Sequence, residues 1–317
     1  MKYIIFLISV IAGFVICESL LRINNAIKLN YDIEMWKYAK ILKQKSENHK
    51  IGHIHQPNKS AFLQGVEIRI NNRGFRGPSL ESYPTIVDRR IMLIGSSITF
   101  GWGVEEEYVF SSILQKNALK DGKVWAVYNG GIGNYNTQRY VTNYIENWRD
   151  IEIDDLIVQY FINDTEVLER EFERKVNFFT KNTHAGVLLW KVLNSLNQDL
   201  RIENIKSYYE KLYMDDFEGY QEMIMQLEKL SNFCELKKIN CYLLVTPDIH
   251  QLEPYELKFI HRKIKKIAED LNFKTLDLLK TLNSLPAKKL WNLNNDPHPN
   301  ALGHKLMGDF VYNSLVK

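Results

Sequence analysis

Cysteine is scarce in this chain. Cys17, Cys234 and Cys241 are too few and too unevenly spaced for a disulfide framework or for a zinc site of paired CxxC motifs. Cys234 and Cys241 flank a helix-to-strand turn, where they either pair in an oxidising compartment or stay as two buried thiols. An excess of one charge is also missing. With 41 Lys and Arg against 38 Asp and Glu, the net charge of +3 provides no basic field of the kind that marks a nucleic-acid binder. No GxxxxGK[ST] loop and no GxGxxG fingerprint opens a helix, so nucleotide chemistry has no cradle. The G-x-S-x-G elbow is absent too, because Gly95-Ser96-Ser97-Ile98 continues into Thr99. His53-Ile54-His55 has no carboxylate or cysteine spaced to complete a metal site, so it reads as structural, and neither metal nor cofactor is expected. No repeat or low-complexity tract interrupts the 317 residues, whose 45% apolar content is enough to bury a full core.

Apolar residues concentrate at the amino terminus. From Tyr3 to Cys17 the sequence reads YIIFLISVIAGFVIC without a charge, between Met1-Lys2 and Glu18. Such a run lacks the 3.6-residue alternation of a half-buried helix and is membrane-directed. A spanning helix needs about 20 mainly apolar residues and a signal core roughly 7–15, so length admits both. Val15-Ile16-Cys17 is a poor cleavage site and Ile16 is too large for a lipoprotein site, which favours an uncleaved anchor holding the membrane through residues 3–21. Lys2 and the amino terminus compete with Arg22 and Lys28, so the positive-inside rule fixes the orientation only weakly. The expected organisation is a membrane anchor or signal segment over 1–23, a polar stalk or linker over 24–64, and one folded domain over 65–317.

Within that domain, GVEIRINNRGFRGP (Gly65 to Pro78) has the pattern of a strand or hairpin. Strands and helices then alternate. Arg90-IMLIG, Val124 to Tyr128, Asp155-LIVQYF, Asn240-CYLLVTP and Phe273 to Leu278 read as strands. Glu105 to Lys120, Thr137 to Trp148, Glu218 to Leu236, Pro254 to Leu271 and Asn300 to Leu315 read as helices. This alternation predicts an α/β fold, a doubly wound and mainly parallel sheet flanked by helices in three layers. Residues 165–216 are too many for a connecting loop, so they carry a helical insertion that is either a wall of the site or an embellishment with its own small core.

In open α/β sheets the chemistry lies at the carboxyl ends of strands. Four polar segments fall there or before the last helix: Gly95-Ser96-Ser97-Ile98-Thr99-Phe100-Gly101-Trp102-Gly103-Val104, Asn129-Gly130-Gly131-Ile132-Gly133-Asn134-Tyr135-Asn136-Thr137, Phe161-Ile162-Asn163-Asp164 and Asn295-Asp296-Pro297-His298-Pro299-Asn300. They supply a hydroxyl nucleophile, an imidazole, a carboxylate and oxyanion donors, the parts of acyl transfer.

Over about Val66 to the carboxyl terminus these ordered blocks resemble the SGNH (GDSL-type) hydrolases. GSSITFGWGV is similar to that family's GDSxTFGxGV, NGGIGNYNT to its second block, FINDTE to its GxND and DPHPNALGH to its last block. The resemblance implies Ser97 as nucleophile, His298 as general base and Asp296 as its orienter. It implies an oxyanion hole of the Ser97 amide, the Asn134 amide and the Asn163 side chain. The departures leave alternatives. Ser96 replaces the first-block Asp and stands beside Ser97, which keeps register with Thr99-Phe100-Gly101. The second-block glycine falls on Asn134, a residue tolerant of left-handed backbone angles, with Gly131 or Gly133 as substitutes. Phe161 replaces the third-block glycine and narrows the pocket. The common D-x-x-H spacing lands on Asn295, which orients an imidazole without stabilising its charge, so Asp296 is the better physical candidate. The implied activity is that of a serine-dependent ester hydrolase or acyltransferase acting on O-acyl groups of carbohydrate or lipid, with an extracytoplasmic body in a bacterial envelope. A lysophospholipase or thioesterase, and a catalytically weakened binding or assembly protein, are the other readings.

Overall fold

The computed structural model describes residues 1–168, 178–197, 205–293 and 296–316, with backbone alone for 194–197 and 297. Five strands form one parallel sheet. They are β5 (Arg89–Gly95), β6 (Trp125–Gly131), β7 (Asp155–Phe161), β8 (Asn240–Thr246) and β9 (Lys274–Asp277), in the order β6-β5-β7-β8-β9. Their sequences are nearly continuous apolar runs, as a sheet covered on both faces requires, and Ile91 to Ile94, Leu156 to Val158 and Leu243 to Val245 are all buried. Helices α4 (Phe110–Lys120) and α12 (Ala301–Leu315) pack together on one face, and α5 (Thr137–Asn143) and α9 (Glu218–Lys237) on the other, as right-handed crossovers require, with α10 (Lys258–Asp270) between β8 and β9 and α11 (Leu279–Leu282) after β9. The strand order reverses between β5 and β7. That switch point is where a doubly wound sheet opens a crevice for ligands.

Ahead of this sheet, the apolar helix lies where the sequence places it, but the segment after it departs from expectation. Helix α1 (Lys2–Ile27) is apolar, with a mean hydropathy of 2.6 over its best window, and 6% of that window is buried. The segment 24–64, expected as a stalk, folds onto the body instead. It carries α2 (Tyr31–Ile41), the strand pair β1 (Lys43–Lys45) and β2 (His53–His55), and β3 (Lys59–Leu63). Tyr38, Leu42 and Leu63 join Phe100 and Trp102 in one buried cluster. β3 pairs with β4 (Val66–Ile70) through a two-residue turn in which Gln64 and Gly65 both have positive φ, 53° and 83°. The hairpin expected after Gly65 therefore takes its first strand from the supposed stalk.

The insertion over 165–216 lies partly outside the described residues. Its described part holds α6 (Phe178–Asn182), α7 (His184–Asn197) and α8 (Ile205–Leu212). The Glu18 carboxylate accepts the His184 and Ala185 amides, tying α7 to the carboxyl-terminal half of α1. Cys234 and Cys241 form a disulfide joining the end of α9 to the start of β8.

Candidate functional site

β5 ends at Gly95 and the chain turns at once into α3 (Ser97–Phe100), with Ser97 as its first residue. A Cβ at Gly95 would stand 2.3 Å from Thr99 Oγ1 and 2.9 Å from the Gln159 carbonyl, so glycine permits the turn that lifts Ser97 above the sheet. Polar side chains lock the strand ends beneath it. Thr99 Oγ1 donates to Gln159 Oε1 (3.0 Å), Gln159 Nε2 to Thr246 Oγ1 (3.0 Å) and Asn129 Nδ2 to the Thr99 carbonyl (2.8 Å).

Ser97 Oγ lies 2.8 Å from His298 Nε2. His298 Nδ1 donates to Asp296 Oδ1 at 2.5 Å, and the same oxygen accepts the His298 amide at 3.1 Å. His298 is carried on β11 (Asp296–Pro299), which pairs with β10 (Trp291–Leu293), while Asn300 caps α12. Of the two serines, Ser97 is the one bonded to the imidazole. Asn295 lies outside the described residues.

Asp296 is 1% exposed. Burial works against its charge, but the bond and charge of His298, the His298 amide and the Gln64 side chain together hold its carboxyl below the usual range. Gln64 Nε2 donates to Asp296 Oδ2 at 3.0 Å, and the Gln64 amide donates to Glu34 Oε2 at 2.8 Å. Asn25 Nδ2, near the end of α1, donates to Glu34 Oε1 at 2.9 Å. A chain of buried bonds thus runs from the apolar helix α1 to Asp296. The Tyr31 ring stacks on His298 at 6.2 Å, and burial followed by the Asp296 charge keeps its phenol neutral.

Asn134 has φ 64°, the left-handed backbone for which asparagine is suited. Among the described residues nothing accepts the Ser97 or Asn134 amide. The two glycine alternatives are already bonded: Gly131 donates to Asn129 Oδ1 (3.0 Å) and Gly133 to Tyr38 Oη (2.9 Å), so neither has a free N–H. A Cβ at Gly131 would also stand 2.2 Å from the Phe100 amide, which ascribes that glycine to close packing. Asn163 Nδ2 has one distant partner, Glu166 Oε2 at 3.5 Å. Asp164 shapes this turn from below, accepting the Tyr140 hydroxyl at 2.9 Å.

Ser97, Asn134, Asn163 and His298 line a pocket of about 220 Å³ that also takes in Tyr31, Met35, Phe161, Glu166, Asp248 and His250. Burial raises the Glu166 carboxyl, against bonds from Tyr208 and Asn163. Tyr31, Met35 and Gln64 escaped the sequence reading because they sit in the segment taken for a stalk. Asp248-Ile249-His250 did leave a signal, since it repeats at the end of β8 the spacing of Asp296-Pro297-His298. His53 and His55 hold structure: His53 Nε2 bonds the Gly133 carbonyl (3.0 Å), and His55 bonds Tyr38 Oη (2.7 Å) and the Gly74 carbonyl (2.9 Å). The insertion supplies one wall, through Glu166 and Leu168.

No family model and no curated protein matches the chain. Among solved structures it is similar to the psychrotrophic esterase EstA from Pseudoalteromonas sp., at 15% identity and a TM-score of 0.45, covering 72% of this chain and 97% of the other. It is similar to the acetyl xylan esterase AlAXEase at 15% identity and a TM-score of 0.45, covering 71% and 99%. It is also similar to a two-domain esterase active on acetylated mannans, at 14% identity and a TM-score of 0.46, covering 72% of this chain and 49% of that one.

Proposed function

We propose that this chain is a membrane-anchored serine ester hydrolase or acyltransferase of the SGNH type, acting on short O-acyl groups of carbohydrate or lipid at the cell envelope. The observation that carries the reading is the Ser97 hydroxyl 2.8 Å from His298 Nε2, with His298 Nδ1 on the buried Asp296. His298 takes the Ser97 proton as Oγ attacks the ester carbonyl. The free amides of Ser97 and Asn134 and the Asn163 amide group receive the oxyanion, and Asp296 steadies the imidazolium. The proton passes to the departing alkoxide. Water or an alcohol then attacks the acyl-enzyme, giving its proton to His298, which returns it to Ser97 Oγ as the acyl bond breaks.

A short acyl group suits a pocket of about 220 Å³, smaller than the roughly 300–1,000 Å³ of drug-sized sites. Phe161 lines it where the resembled family has glycine. The apolar α1 supports an anchor, and the Cys234–Cys241 disulfide supports an oxidising, extracytoplasmic setting.

Fluorophosphonate labelling and hydrolysis of p-nitrophenyl acetate against a longer-chain ester test this reading. Labelling and a preference for acetate are expected, with both labelling and turnover lost in Ser97→Ala. Labelling that survives Ser97→Ala and vanishes only in Ser96→Ala overturns the assignment.

A further inference from the structure

The pocket contains a second imidazole that the acyl-transfer steps leave unused. Asp248-Ile249-His250, just past β8, is bonded as Asp296-Pro297-His298 is. In each triplet the carboxylate Oδ1 accepts the backbone amide and the ring Nδ1–H of the histidine two residues on. The distances are 2.8 and 2.5 Å at His250, and 3.1 and 2.5 Å at His298. Both carboxylates are buried, Asp248 at 5% and Asp296 at 1% exposure. Fixing Nδ1 in this way leaves Nε2 as the working nitrogen in both rings. At His298 it meets Ser97. At His250 no group among the described residues bonds it, and the side chain is 56% exposed while lining the same pocket. The loop is held rigidly: Trp291 Nε1 donates to the Ile249 carbonyl at 2.6 Å, and its ring lies 6.3 Å from the His250 ring.

A buried carboxylate is costly unless it has a partner. Here its main partner is an imidazole presented to the pocket, the arrangement expected of a group that binds something there. The charge of the site narrows what that is. Among the described lining residues Glu166 and Asp248 contribute carboxylates, and there is no Lys or Arg. The bond to Asp248 holds the His250 imidazole above its ordinary range and burial holds the Glu166 carboxyl up, so the lining offers no strong charge of either sign to recruit an ion, whereas a neutral hydroxyl finds a hydrogen-bonding partner in His250 Nε2.

Resting on the serine acyl-transfer reading above, we propose that Asp248 and His250 form the subsite for the alcohol side of the ester, and that this alcohol is neutral and polyhydroxylated. His250 Nε2 hydrogen-bonds a hydroxyl of the alcohol that departs in hydrolysis or attacks in transfer. No bond is made or broken at His250, because every proton of the reaction moves through His298.

The test compares two acetates that share an acyl group, a mono-O-acetylated methyl glucoside and p-nitrophenyl acetate, on the full-length chain in detergent. His250→Ala is expected to lower the ratio of kcat/KM for the sugar ester to that for the aryl ester at least tenfold, mainly through the sugar ester's KM. His250→Gln, which keeps a hydrogen-bonding side chain, is expected to recover part of it. An unchanged ratio, or an equal fall for both esters, overturns the subsite. Wild-type protein that is labelled at Ser97 and turns over the aryl ester but not the sugar ester overturns the subsite and leaves the serine reading standing. Absence of any labelling overturns both.

Discussion

Two regions build the site, and they encode their contributions in opposite ways. The strand-end loops deliver Ser97, Asn134 and Asn163, and the β10–β11 pair before the last helix delivers His298, all in short polar segments. The amino-terminal arm delivers Tyr31, Met35 and Gln64 from a segment whose composition suggests solvent. The arm misleads because its charges are not all solvated. Lys43 is 5% exposed, donates to the Gly133 carbonyl at 2.8 Å and lies over the Tyr38 ring at 4.5 Å. Glu34 is 1% exposed and takes bonds from Asn25, Lys37 and Gln64. Buried charges with complete sets of partners look, in sequence, the same as exposed ones. Loop chemistry can be read locally, whereas arm chemistry depends on partners up to 232 residues away, as between Gln64 and Asp296.

Asp296 is gripped by both regions and gives the largest expected effect. Asp296→Asn should lower kcat by about 10⁴-fold at neutral pH, since the imidazolium loses its counter-charge and its tautomer is no longer fixed. The same change has a signature in stability. A carboxyl whose folded pKa is depressed adds stability that is present above its unfolded value of about 3.9 and is lost as pH falls through the lower folded value. The difference in Tm between wild type and Asp296→Asn should therefore be open at pH 7 and close below about pH 4. A gap independent of pH would mean that Asp296 gains nothing from His298 and Gln64.

Asn163 belongs to the strand-end side alone. Replacing it with Ala should cost about 10²- to 10³-fold in kcat if its side chain meets the oxyanion, with Tm little moved because, among the described residues, the one bond of its side chain is the 3.5 Å contact to Glu166. Its place on the pocket wall was legible in sequence: Asn163-Asp164 follows an apolar strand and stands in an ordered set of blocks. The sheet was legible because strands buried on both faces leave nearly continuous apolar runs such as IMLIG and LIVQYF, the latter broken by Gln159 alone. Boundaries were less so. The helix expected from Glu105 begins at Phe110, after a separate 3₁₀ turn over Glu106–Tyr108.

Gln64 is the corresponding arm residue. Its bond to Asp296 is to a charged group, a class worth about 1.5–3 kcal/mol. Gln64→Ala should lower kcat about tenfold with KM unmoved, because Gln64 steadies Asp296 and is not among the pocket-lining side chains. A change confined to KM would remove it from the chain of bonds that ends at the triad.

The smallest expected effect on rate comes from the joint between the regions. Tyr38, in the arm, accepts the Gly133 amide at 2.9 Å and bonds His55 at 2.7 Å, so it fixes the loop that presents Asn134. Tyr38→Phe keeps the ring among Leu42, Phe100 and Trp102 but strands a buried N–H and an imidazole nitrogen. Leaving such groups unpaired costs about 1–3 kcal/mol each, which for a body of this size should appear as a clear fall in Tm, while kcat drops only a few-fold through a looser Asn134. If Tm falls and kcat does not, the arm supports the fold without tuning the oxyanion loop. If kcat falls further than Asn163→Ala lowers it, the arm, and not the strand-end motif, governs the oxyanion hole.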